Sequence, residues 1–191
     1  MDGSAIVTSD SSILVSVEKQ YIKGKGGAFK LNPSKNQDDA AVWYFPVEDT
    51  DFSGWEGGVI GSIGINDNYI QNNKTHFAAF VGIDSYLYVV NHKSIDSSKT
   101  VLGPDSTTYY NTPKLIFSYK VGPSISTPIF VDDKLIVAGY WGIYIFKYDD
   151  QNHFELLDKR DGTFESTPIV WNNKIYIASR DGYLYCFGLK N

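Results

Sequence analysis

The sequence is poor in the residues that build disulfide frameworks and metal clusters. It has one cysteine, Cys186, and three histidines among 191 residues. A single cysteine excludes a disulfide within the chain, and so few histidines make a zinc ribbon or knuckle a poor fit. His76, His92 and His153 show no metal-binding spacing, so we predict that all three lie in solvated loops and that there is no metal site. We expect Cys186 to be a buried, inert thiol in a terminal strand.

The chain also lacks an excess of positive charge and a long apolar run. Its 17 basic and 22 acidic residues give a net charge of −5, which disfavours a nucleic-acid groove. The longest uncharged apolar run extends from Leu135 to Phe146, well short of the roughly 20 residues of a membrane helix. Residues 1–4 carry neither the basic cluster nor the apolar segment of a signal peptide. We predict no nucleic-acid partner and no membrane span.

Aromatic residues, in contrast, are abundant. The chain has 4 Trp, 14 Tyr and 11 Phe, with 17 Gly and 7 Pro spread between them. Short aromatic and β-branched runs that are interrupted by Gly, Asp and Asn are typical of short strands. No long segment has the 3.6-residue period of a helix. The sequence therefore predicts an all-β fold.

A repeat indicates the architecture. Gly122 to Phe146 aligns with Gly162 to Cys186 at a constant offset of 40 residues, without a gap. The tetrapeptide Ser-Thr-Pro-Ile begins at Ser126 and again at Ser166. A period of this length without a helical segment is typical of the four-stranded blade of a β-propeller.

Weaker copies of the repeat lie upstream, which gives one partial propeller domain over residues 1–191. We predict blades at about 4–58, 59–122, 123–163 and 164–191, the last without its fourth strand. The second blade carries two insertions, at about 68–76 and 91–111, that we interpret as long loops on one face of the propeller. We expect the chain to be the C-terminal part of a seven- or eight-bladed propeller. The alternative is a four-bladed ring with an imperfect last blade.

The repeat resembles the pyrroloquinoline-quinone-like (PQQ-like, quinoprotein) propeller family. The resemblance rests on the segments 166–170, 174–179 and 181–185, and it is good over the last seventy residues. The family includes dehydrogenases and non-catalytic members, such as the periplasmic propeller of the outer-membrane assembly machinery. The adjacent cysteine pair and the Thr-Gly-Trp pattern of the dehydrogenases are missing here, so the non-catalytic members fit better. We do not expect PQQ or calcium as cofactors. The resemblance implies a periplasmic or extracellular location.

The function predicted from these features is a non-catalytic module that binds a protein or carbohydrate partner. The alternative is a fragment of a PQQ-dependent dehydrogenase whose cofactor site lies in upstream blades. A missing fourth strand leaves open propeller edges, so self-association is also expected.

Two sets of residues are candidates for binding, and none is a candidate for catalysis. The first set is expected at the mouth of the central channel, where aromatic and charged groups suit a polar ligand. The second set lies in the insertions, where tyrosines suit a protein interface. The channel-mouth set is Trp55, Glu56, Tyr140, Trp141, Glu165, Arg180 and Asp181, and the partner-binding set is Tyr69, Ile70, Tyr109 and Tyr110.

Overall fold

The computed structural model describes residues 3–69 and 75–188, and the fold is all-β, as predicted. The described part contains short strands joined by turns and two single 3-10 turns, Gln37–Asp39 and Asp67–Tyr69. The strands are β1 (Ile6–Val7), β2 (Ile13–Val17), β3 (Gly27–Leu31), β4 (Ala41–Pro46), β5 (Asp49–Phe52), β6 (Trp55–Gly57), β7 (Gly64–Ile65), β8 (Phe77–Val81), β9 (Tyr86–Leu102), β10 (Tyr109–Lys120), β11 (Ile129–Val131), β12 (Lys134–Gly139), β13 (Gly142–Tyr148), β14 (Phe154–Arg160), β15 (Ile169–Trp171), β16 (Lys174–Ala178) and β17 (Leu184–Phe187).

The strands form antiparallel sheets in which sequence neighbours are also neighbours in space. Sheet 1 contains β1 to β4, sheet 2 contains β7 to β10, sheet 3 contains β11 to β14, and sheet 4 contains β15 to β17. A separate hairpin, β5–β6, follows sheet 1. Consecutive antiparallel strands joined by short turns follow the meander pattern of propeller blades.

Hydrophobic cores lie between consecutive sheets. Leu14 and Trp43 of sheet 1 belong to one core with Phe80 of sheet 2. A second core joins sheets 2 and 3, and a third, with Ile143 and Ile177, joins sheets 3 and 4. Each sheet thus packs face to face on the next, as in a propeller-type fold.

The repeated Ser-Thr-Pro segments lie side by side. The Ser126 hydroxyl donates to the Ser166 carbonyl at 2.9 Å, and the Thr127 amide donates to Thr167 Oγ1 at 3.3 Å. In the preceding sheet, a Cβ on Gly64 would lie 2.1 Å from the Pro128 carbonyl oxygen. Small residues are needed here because the first strands of successive sheets approach each other closely.

The second insertion of the predicted second blade is a ribbon rather than a loop. β9 and β10 continue past the sheet as a long hairpin whose last pair is Leu102 with Tyr109. Near the ribbon's tip, Tyr110 packs on Phe29 at 5.2 Å between ring centroids, with Tyr44 beside it at 6.2 Å. The ribbon therefore covers part of the face of sheet 1 that points away from sheet 2.

Two predictions about single residues were wrong. Cys186 is exposed, because no sheet within the described part of the chain covers the outer face of sheet 4. His92 lies within β9 and is fully buried, and only His153 matches the predicted solvated histidine, with 78% of its side chain exposed. No helix in residues 3–69 or 75–188 is long and apolar enough to cross a membrane.

Candidate functional site

A cleft forms where the β5–β6 hairpin meets the turns of sheets 3 and 4, and Tyr140 lies at its centre. The Tyr140 ring meets Phe52 edge-to-face at 4.7 Å and lies 6.3 Å from the Trp55 ring. Its hydroxyl donates to Glu165 Oε1. The Arg180 guanidinium lies 5.9 Å from the Tyr140 ring centre and 3.3 Å from the same Glu165 oxygen. The structure thus brings four of the seven channel-mouth residues into contact.

The cleft has a volume of about 670 Å³ and is lined on one side by sheet 4. Asp181 belongs to its lining, but Asp181 Oδ2 already accepts a hydrogen bond from the Tyr185 hydroxyl at 2.6 Å. The Asp181 carboxylate is therefore engaged within the chain, as the Tyr140 hydroxyl and the Arg180 guanidinium are through Glu165.

The remaining two channel-mouth candidates lie apart from this contact group. Trp141 packs against Gly122, where a Cβ would come within 2.4 Å of the indole. The Lys120 ammonium lies 5.6 Å from the Trp141 ring centre, and the indole is 46% exposed. Glu56 is exposed on β6.

Burial, and to a smaller extent the hydrogen bond to Glu165, raises the pKa of Tyr140 to about 12. The Tyr140 hydroxyl is therefore a neutral donor at physiological pH, and Glu165 accepts its hydrogen bond. An aromatic wall next to one guanidinium and one carboxylate is suited to a polar ring that stacks and hydrogen-bonds.

The partner-binding candidates are only partly available as a surface. Tyr69 is 42% exposed after β7, and Tyr109 is 67% exposed near the ribbon tip. Tyr110 is half-buried against sheet 1, and Ile70 lies outside the described residues. Tyr109 is therefore the more accessible of the two ribbon tyrosines.

The sequence analysis missed one exposed apolar surface. It is the outward face of sheet 4, which points away from sheet 3. Trp171 is 73% exposed, Leu184 71% and Ile169 66%. Tyr176 lies between Ile169 and Cys186 in the register of the strands. The outward face carries the side chains of Ile169, Trp171, Lys174, Tyr176, Ala178, Leu184 and Cys186, so it is apolar except for Lys174, which pairs with Trp171.

The repeat contained the signal for this surface. In sheet 3, Ile129 pairs with Ile136. In sheet 4, the equivalent residues of the repeat, Ile169 and Tyr176, pair in the same way. In sheet 3 these positions are packed against sheet 4. The same alternation of apolar residues in sheet 4 is not covered by another sheet among residues 3–69 and 75–188.

A second polar group, also missed, lies between sheets 1 and 2. One oxygen of Asp67, Oδ1, lies 2.8 Å from His76 Nδ1 and 2.9 Å from His92 Nε2. Burial alone would raise the pKa of Asp67, but the hydrogen bonds from the two imidazoles outweigh it and hold this pKa well below its usual range. The three residues come from two turns and a strand, so their spacing in sequence gave no sign of the contact.

The comparisons with known proteins are informative about the fold only. No protein-family model and no curated protein matches the chain. Among solved structures, the chain is similar to BamB from Moraxella catarrhalis, with a TM-score of 0.60 and 14% sequence identity. The match covers 97% of this chain and 46% of the BamB chain, so this chain spans about half of that structure. The likeness supports a propeller-type fold.

Proposed function

We propose that this chain is a non-catalytic, propeller-type protein-binding module and that it binds through the outward face of sheet 4. The observation that carries the proposal is the uncovered apolar face itself. Its three most exposed large residues, Ile169, Trp171 and Leu184, each leave about two thirds or more of their surface in water. Large contiguous apolar patches of this kind mark interaction sites. A periplasmic or extracellular location is part of the proposal and rests on the family resemblance.

The repeat indicates what kind of surface fits this face. In sheet 3, Ala138 pairs with Ile143 and Ile136 pairs with Ile145, and this face packs on sheet 4. In sheet 4, Ala178 pairs with Leu184, and Tyr176 pairs with Cys186. The first two strands of the two sheets have the same register at the repeat offset of 40 residues, whereas the third strand of sheet 4 pairs one residue further along. Because the first two strands carry apolar residues at the same positions on both faces, the complement of the outward face is another sheet of the same repeat.

A second copy of the chain offers such a sheet. The outward face of sheet 1 carries Val7, Ile13 and Val15, and Val7 is 68% exposed. The β9–β10 ribbon contacts this face at Phe29 on β3 and Tyr44 on β4. We propose head-to-tail association, with sheet 4 of one copy packed on sheet 1 of the next. Two copies together approach the length of the BamB chain, of which one copy spans 46%.

Light scattering over a range of concentrations tests this proposal. The chain has a mass of 21.4 kDa, and we expect the wild-type protein to reach twice this mass or more as concentration rises. Trp171→Lys and Val7→Lys each place a charge on one side of the proposed contact, and both should shift the protein toward the monomer. Leu157→Lys, at a residue 48% exposed on β14, is the matched control and should associate like the wild type.

The same series separates the possible outcomes. A wild-type monomer at every concentration would overturn self-association as the mode of binding. A third outcome is that Trp171→Lys weakens association and Val7→Lys leaves it unchanged. This outcome would show that sheet 4 of one copy packs on sheet 4 of the other, and it would contradict the head-to-tail arrangement.

The cleft around Tyr140 favours a second candidate function, the binding of a polar ring such as a sugar. Phe52, Trp55 and Tyr140 supply aromatic faces, and Arg180 supplies hydrogen-bond donors. We expect Tyr140→Ala to weaken carbohydrate binding by about tenfold or more, because stacking and one polar anchor are lost together. Screening the wild type on a carbohydrate array, followed by titration of both proteins with a hit, measures this. Equal affinities would contradict a site in this cleft.

A further inference from the structure

The triad of Asp67, His76 and His92 has the composition and shape of a transition-metal site. Its ligand atoms, Asp67 Oδ1, His76 Nδ1 and His92 Nε2, all lie within 4.8 Å of one another. Two imidazole nitrogens and one carboxylate oxygen are ligands that Zn²⁺ and its first-row neighbours accept. We infer that these three side chains form a binding site for a divalent transition-metal ion, with Zn²⁺ as the best-suited ion.

The distances require only a small adjustment. The carboxylate oxygen lies 2.8 and 2.9 Å from the two nitrogens, which are hydrogen-bonded to it in this structure. Two ligands on a tetrahedral zinc ion, with bonds of about 2.0–2.1 Å, lie about 3.3 Å apart. A movement of about half an ångström is therefore enough for each oxygen–nitrogen pair, and the two imidazole nitrogens, which lie within 4.8 Å of each other, must also come to about 3.3 Å apart.

The backbone around the triad is already held in place. The His92 amide donates to the His76 carbonyl at 2.9 Å, which fixes the two histidines side by side. The His92 carbonyl accepts hydrogen bonds from Lys30 Nζ and Trp43 Nε1, each at 3.0 Å. Metal sites that bind tightly have ligands positioned in this way by their surroundings.

The carboxylate is fixed as well. Asp67 Oδ2 accepts the Ser9 amide at 2.7 Å, so the other oxygen is directed at the imidazoles. Only 6% of the Asp67 side chain is exposed, and the His92 side chain is fully buried. Burial of an ionised carboxylate favours a compensating positive charge, which a divalent ion supplies.

The His76 side of the triad is open. The His76 side chain is 24% exposed, so an ion and a water ligand can enter from this side. A site with three protein ligands and an open position is the arrangement in which zinc keeps a water molecule as its fourth ligand.

The protons on the two imidazoles can adjust to the metal. Without a metal ion, the Asp67 carboxylate holds the His92 proton on Nε2, and a metal ion at Nε2 moves this proton to Nδ1, which has no hydrogen-bond partner among the described residues. Lys93 Nζ lies 3.1 Å from His76 Nε2 and favours the tautomer that carries its proton on Nδ1. Metal binding at His76 Nδ1 requires Lys93 to move away, which a lysine side chain on the surface can do.

Co²⁺ titration of the full chain, after removal of metal with a chelator, tests the inference. Co²⁺ in a tetrahedral site gives a visible ligand-field spectrum, and we expect this spectrum to saturate at one ion per chain. Zn²⁺ should displace the Co²⁺ and raise the Tm, because the ion binds the folded chain preferentially. His76→Ala should weaken Co²⁺ binding by more than about tenfold. Loss of a residue that only hydrogen-bonds to a metal ligand already weakens binding by about tenfold, and His76 would be a ligand itself.

Two further variants keep the test decisive. His153→Ala is the matched control, because His153 also lies beside a carboxylate, with Nδ1 3.1 Å from Asp149 Oδ2, but is exposed. It should bind Co²⁺ like the wild type. Lys93→Met should bind more tightly, because it removes the ammonium that competes for His76. The absence of a Co²⁺ spectrum, or equal binding by the wild type and His76→Ala, would overturn the site and leave Asp67 with a purely hydrogen-bonding role.

Discussion

Phe146→Ala is expected to lower the free energy of unfolding by about 3–5 kcal/mol, the usual cost of removing a buried phenylalanine ring. Phe146 is fully buried in the core between sheets 2 and 3. Its ring meets Tyr119 at 5.2 Å and Phe117 at 5.5 Å, both from β10 of sheet 2. The substitution therefore leaves a cavity between two sheets that depend on each other for burial. Urea unfolding followed by tryptophan fluorescence measures the loss.

The control for this prediction is Leu157→Ala in the same sheet. Leu157 is 48% exposed on β14, and removal of its side chain should change the free energy of unfolding by no more than about 0.5 kcal/mol. Equal losses for the two variants would show that sheets 2 and 3 do not form a continuous core.

Lys30→Met is expected to lower the free energy of unfolding by about 2–3 kcal/mol, somewhat less than the cost of breaking a fully buried ion pair. The Lys30 side chain is 3% exposed, and its ammonium lies 2.6 Å from Asp10 Oδ2 and 3.0 Å from the His92 carbonyl oxygen. Burial works to raise the pKa of Asp10, but hydrogen bonds from Lys30 and Thr8 prevail and lower it to about 2. Because Asp10 is 36% exposed, water can partly replace the lost ammonium.

Lys134→Met is the matched control, because Lys134 is likewise a lysine on a strand that is paired with an aspartate, Asp133. Both side chains are 45% exposed, so this surface pair should contribute less than about 1 kcal/mol. A loss for Lys30→Met as small as that for Lys134→Met would show that Lys30 does not link sheets 1 and 2.

The sequence predicted the parts of the fold that depend on local pattern. The apolar run that begins at Lys134 predicts a buried central strand over Lys134 to Ala138, and β12 is Lys134–Gly139 with a buried interior. The first copy of the repeat is weak, yet its pattern predicts a strand over Ile13 to Val17, and β2 has these bounds. At these positions, the alternation of apolar residues between turn residues was sufficient to predict the strands.

The sequence could not predict features that depend on contacts between distant segments. The 91–111 insertion departs from the repeat, so its pairing as a ribbon and the contact of Tyr110 with Phe29 had no local signal. His92 is buried because a turn 25 residues earlier places Asp67 beside it. The proximity of Tyr140, Glu165 and Arg180 could be predicted better than the ribbon contact or the burial of His92, because the repeat places their turns on one face.

Cys186 offers the most direct test of the central claim that the outward face of sheet 4 is a binding surface for a second copy. It is the only cysteine of the chain, it lies on that face, and it is exposed in the isolated chain. The measurement is the rate of alkylation of Cys186 as a function of protein concentration, with Trp171→Lys as the reference that stays monomeric. The account predicts rapid alkylation of the wild type at low concentration, a marked slowing as the protein associates, and no slowing in Trp171→Lys. Alkylation of the wild type at the same rate in a confirmed dimer would contradict it, because the outward face would then remain open.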